Sequence, residues 1–183
     1  MFEIQRLQGT PERRIEVQTR AGYSLDNFLA PPPGGQQLSR YQRIRDKHPG
    51  WSNRKPASGG YNCAGLIWAS RRVSLPSAPE WRRVLNDDGY RHTDFPDVLP
   101  GDIVLYLKAS DPPETAEILH VACVYFFRNV GGVDVPMAVS KWDAQCGEDI
   151  HDVQDCAQLC GGEPHRIQYW TERPIPERQR LKV

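Results

Sequence analysis

Two runs of strand-forming residues, Ile118 to Phe127 and Val133 to Ser140, flank a short segment containing Gly131 and Gly132. β-branched and aromatic residues suit a pleated surface, and a glycine pair between such runs reads as a tight reversal. A third run, Ile103 to Leu107, is launched by the turn Leu99-Pro100-Gly101-Asp102. These three segments predict an antiparallel meander. Two helices are expected ahead of it. One runs from Cys63 to about Val73, entered through Gly59-Gly60-Tyr61-Asn62, and the other from Glu80 to Asn86, where Trp81, Val84 and Leu85 fall at helical spacing. Helices followed by an antiparallel meander make an α+β arrangement.

The flanks are less regular. Phe2-Glu3-Ile4-Gln5 and Ile15-Glu16-Val17-Gln18 alternate apolar with polar residues and read as a short hairpin or edge strands. Ala30-Pro31-Pro32-Pro33-Gly34-Gly35 then breaks regular structure. Arg40 to His48 reads as a helix with a solvated basic face, and His165 to Trp170 as a last strand. A chain of 183 residues is the size of one domain. We therefore expect a single domain over 1–183, with a hairpin and Pro/Gly loop over 1–35, a core over 59–143, and a Cys-rich loop, last strand and polar tail over 144–183. Lys and Arg together number 23, equal to Asp and Glu, so net charge gives no reason to expect nucleic acid or an acidic surface as partner. No long apolar segment suggests a membrane span, and no export signal is evident. The expected location is the cytoplasm, or delivery by a specialised secretion apparatus. In that setting the five cysteines are expected as thiols.

Cys63 carries the sharpest chemical expectation. A helix start presents unpaired N–H groups and partial positive charge, which bias a thiol there toward thiolate and can receive an oxyanion. Asn62 is placed to cap that helix. His120, at the start of the second strand, is the candidate base. Period-two alternation puts His120, Ala122, Val124 and Phe126 on one face and Val121, Cys123, Tyr125 and Phe127 on the other, so Cys123 reads as a core residue.

Asn62-Cys63-Ala64-Gly65-Leu66, Pro100-Gly101-Asp102-Ile103-Val104-Leu105-Tyr106 and His120-Val121-Ala122-Cys123-Val124-Tyr125 resemble, in that order, the motifs of the NlpC-like and CHAP-like cysteine peptidases and amidases. The match covers roughly residues 59 to 143. The resemblance implies a papain-like fold, with a nucleophile-bearing helix packed on an antiparallel sheet. It also implies a Cys63 nucleophile and a His120 general base. The family's third group, which orients the histidine, falls in the region Val139-Ser140-Lys141-Trp142-Asp143. Asp143 is preferred because a carboxylate also stabilises the imidazolium; Ser140 and His151 are alternatives. The Ser-Lys-Trp run followed by a histidine also resembles a group of bacterial domains of the same class.

The implied activity is hydrolysis of a peptide, isopeptide or cell-wall peptide amide, without a cofactor, by a cytosolic hydrolase or an effector toxin. The implied partners are the substrate, such as a peptidoglycan stem peptide, and an immunity protein in the toxin case, with neither nucleic acid nor membrane. A second expectation belongs to another class: an inactive papain-like binding or adaptor module. In that reading Cys146, His151, Cys156 and Cys160, spaced C-x4-H-x4-C-x3-C, hold a structural zinc.

Overall fold

A computed structural model describes residues 15–76, 78–156 and 164–174. Its centre is a seven-stranded antiparallel sheet. In chain order the strands are β1 (Ser52–Lys55), β2 (Arg91–Thr93), β3 (Ile103–Lys108), β4 (Ile118–Val130), β5 (Val133–Lys141), β6 (Glu148–Asp152) and β7 (His165–Thr171). They lie in the order β1-β6-β5-β4-β3-β7-β2. The expected meander forms its middle, with β7 returning against β3. Gly131 and Gly132 both take positive φ, 60° and 88°, which lets a two-residue loop match the twist of β4 and β5. Among the described residues three α-helices accompany the sheet: α1 (Gly35–Lys47), α2 (Cys63–Trp68) and α3 (Ala78–Asp87). The mixed α+β class is as expected from sequence.

The two faces of the sheet bury different cores. On one, Ile103, Leu105, Leu107, Ile118 and Val121 join Trp81, Val84 and Leu85 of α3 and Cys63 and Ala64 of α2. Leu66 of α2 packs there too, with Tyr61, Val139 and Cys123. On the other, Val104, Tyr106, Ala122, Val124 and Ala138 pack with Val153, Cys156 and Tyr169. The α1 helix is tied to this second side by Tyr41, whose hydroxyl donates to Asp149 at 2.7 Å.

Several elements depart from the sequence expectation. Helix α2 ends at Trp68 instead of near Val73, because Ser70 and Arg71 adopt φ of 49° and 64° and turn the chain back. The returning chain passes so close that a Cβ on Gly65 would lie 1.9 Å from the Val73 carbonyl oxygen. A bulge between Val124 and Phe126 shifts the alternation of β4, so that Phe127 and not Phe126 packs on the side of Ala122. The segment read as a Cys-rich loop contains strand β6, and β1 and β2 were not expected. Of the expected N-terminal hairpin or edge strands, Phe2 to Gln5 lie outside the described residues, while Gln18 forms an isolated bridge with Ser24.

Candidate functional site

Asn62 does cap α2. Its Oδ1 accepts from the Gly65 N–H at 2.9 Å and from the Leu75 N–H at 3.2 Å, while its Nδ2 donates to the Leu75 carbonyl at 2.8 Å. The cap therefore also ties the helix start to the segment that folds back over it. Cys63 is the first helical residue, 7% exposed, in the apolar cluster between α2, α3 and the sheet.

His120 lies on the other side. It pairs with Tyr106 across β3 and β4, and its ring sits 5.7 Å from the Tyr106 ring and stacks on Trp142 at 5.8 Å with a 15° interplanar angle. Tyr106 belongs to the second core, whereas Val121, the next residue after His120, belongs to the core that contains Cys63. The alternation of β4 thus directs the His120 ring away from α2. The nucleophile and base inferred from the resemblance therefore pack on different faces of the sheet. At 2% exposure, burial and then the nearby His151 push the His120 imidazole down to about 3, so it is neutral at physiological pH. Among the described residues its Nε2 has no hydrogen-bond partner.

The three candidates for the orienting group separate as well. Asp143 sits in the turn after β5, where its Oδ1 accepts from the Gln145 N–H at 2.6 Å and its Oδ2 lies 3.8 Å from exposed Arg40. With 45% of its side chain exposed, it closes a surface turn and does not hold His120. Ser140 and His151 instead meet each other. The His151 Nδ1–H donates to the Asp152 carbonyl at 2.8 Å, leaving Nε2 to accept from the Ser140 hydroxyl at 2.8 Å. Both residues are fully buried, and burial lowers the His151 pKa. Their hydroxyl–imidazole pair is therefore a neutral structural contact, with the Trp142 ring 4.8 Å from His151 on the side toward His120.

Two polar clusters missed by the sequence reading flank this region. Asp149 accepts from Tyr41, from Asn53 at 3.2 Å and from the Trp142 indole at 2.7 Å, and Arg45 lies 3.4 Å away. On the α2 side, Glu148 accepts from Tyr61 at 2.6 Å, Arg71 at 2.7 Å and Arg54. Burial would raise the Glu148 carboxyl, but these partners overcome it and hold it below the ordinary carboxylate value. Neighbouring Lys141 is fully buried, donates to the Ser58 and Cys146 carbonyls, and is pushed down by desolvation. The alternation Glu148-Asp149-Ile150-His151-Asp152 was the available signal. It sends Glu148 to the α2 face and Asp149 to the α1 face.

Among the described residues no group of three His, Cys, Asp or Glu side chains is placed to hold a metal ion. His151 is occupied by Ser140, and Cys160 of the expected zinc set lies outside the described residues. A cleft of about 280 Å³ on the α2 side is lined by Arg54, Arg71, Tyr125 and Cys123, whose thiol is raised by burial. No described helix is long and apolar enough to cross a membrane.

No protein-family model matches the chain, and neither a curated protein nor a solved structure matches it.

Proposed function

We propose that this chain is a papain-like domain used as a binding or adaptor module, without hydrolysis through Cys63 and His120. The observation that carries the reading is that these two residues occupy opposite faces of the sheet, with Cys63 in the α2 core and His120 between Tyr106 and Trp142. A thiol is activated by a base within about 2.6 to 3.2 Å, directly or through one water. A buried imidazole packed on the face of Tyr106 favours a structural role for His120 over that of a base for Cys63. The order of the nucleophile-position helix, the Pro-Gly-Asp strand and the histidine strand supports the papain-like arrangement.

The surface best suited to a protein partner is the β4–β5 hairpin. It runs past the end of the Ile103–Cys123 pairing with β3 as a two-stranded arm. Tyr125, Phe126, Val130 and Val133 are exposed along it. Large apolar side chains grouped on a projecting hairpin favour burial against another protein.

The Asn62 cap at Cys63 favours a second reading, a cysteine amidase or peptidase, which requires another group to serve as base. Iodoacetamide alkylation at about pH 6, read site by site by mass spectrometry, separates the two. Cys63 is expected to react slowly, no faster than Cys123, which lines an open cleft. Selective, rapid alkylation of Cys63 would instead support the hydrolase.

A further inference from the structure

On the face away from Cys63, alongside β5 of the β4–β5 arm, a cavity of about 490 Å³ lies between the sheet and the short 3-10 turn Phe95–Asp97. Its walls include Phe95, Tyr169, Pro136 and Ile167, and Asp134 and Asp152 contribute carboxylates. The Phe95 and Tyr169 rings are 6.0 Å apart and inclined at 52°, and Phe95 is 46% exposed. Asp134 accepts from the Asn129 side chain at 3.0 Å, and Asp152 accepts from the Gln154 N–H at 2.8 Å. Among the described residues neither carboxylate forms an ion pair. The negative field is felt by the wall itself, since the Tyr169 hydroxyl is raised by burial and then by Asp152.

This combination selects its occupant. An anion is repelled. A neutral apolar group would fill the space but cover two carboxylates without supplying a countercharge, which is costly. A guanidinium on an apolar stem satisfies both parts: the flat cation lies against aromatic faces and its forked N–H groups donate to carboxylates. We propose that this cleft binds the side chain of an arginine presented by a partner protein. The proposal goes beyond the adaptor reading and does not depend on whether Cys63 reacts.

The test uses the full chain and two blocked amino acids, N-acetyl-arginine amide and its neutral isostere N-acetyl-citrulline amide, followed by NMR shifts of the Phe95 and Tyr169 rings. The arginine compound is expected to give saturable shifts, weakened as salt is raised, and the citrulline compound to bind at least about tenfold more weakly, the scale of one charge-assisted contact. Asp134→Asn and Asp152→Asn should each weaken binding several-fold. Phe95→Ala, at an exposed position, should weaken it without disturbing the fold. Equal binding of the two compounds would overturn the proposal. So would absence of saturable ring shifts, or indifference to both aspartate substitutions. Alkylation of Cys63 reads neither result, so failure here is distinguishable from failure of the adaptor reading.

Discussion

Glu148→Ala is expected to lower stability by about 3 kcal/mol or more, which is a large share of the total for a domain of this size. Glu148 is fully buried and holds Arg54, Arg71 and Tyr61 together beneath the end of α2. Removing the carboxylate leaves two guanidinium groups and a hydroxyl facing a cavity. Because both arginines retain some solvent access, the loss falls at the lower end of the range for breaking a buried ion pair. Arg71 is also held at positive φ in the turn that shortens α2, so the carboxylate helps anchor a conformation that few side chains adopt readily. Urea denaturation measures the effect directly. Glu148→Gln, which keeps the volume and one acceptor, should lose less. Equal midpoints for wild type and Glu148→Ala would show that the cluster contributes nothing net.

Acid should destabilise the protein well before its surface carboxylates titrate. An unfolded histidine takes up a proton as pH falls through 6.5, but His120 in the folded state stays neutral down to about 3. Between those values the unfolded chain binds the extra proton, so stability falls as pH falls, by roughly 1 kcal/mol per pH unit for one such group. His151 is lowered by burial as well and adds in the same direction. Glu148, held below its ordinary value, contributes stability above 4.5 that is lost as pH falls through its folded pKa. The urea midpoint is therefore expected to drop steeply between about pH 7 and about pH 5, while His120→Leu flattens the slope. A midpoint independent of pH over that interval would contradict the burial of a neutral His120.

The sequence made the meander legible because its three strands are rich in β-branched and aromatic residues and its turns carry Gly131-Gly132 and Pro100-Gly101. Capping by Asn62 was legible for a similar reason, since one side chain suffices to make it. What alternation could not assign was which face of the sheet receives α2. Both faces of β4 are small or apolar, Val121 and Cys123 on one and Ala122 and Val124 on the other. The pattern therefore grouped His120 with Ala122 correctly without locating the helix, and the separation of Cys63 from His120 follows from that long-range packing choice. Strand β6 was obscured for a different reason. Its Glu148, Asp149 and His151 are buried through partners distant in sequence, Tyr61, Arg71 and Tyr41 among them, so the alternation of the segment separates its two faces but does not reveal those partners.

The packing of His120 and Cys63 on different faces of the sheet is tested by titrating the His120 imidazole by heteronuclear NMR, from about pH 8 to about pH 4, in the wild-type protein and in Cys63→Ser. With the ring enclosed by Tyr106 and Trp142 on the face away from α2, its resonances should report a neutral imidazole throughout and be unchanged by Cys63→Ser. An imidazolium that persists near neutral pH in the wild type and disappears in Cys63→Ser would instead reveal a thiolate–imidazolium pair and overturn the adaptor reading.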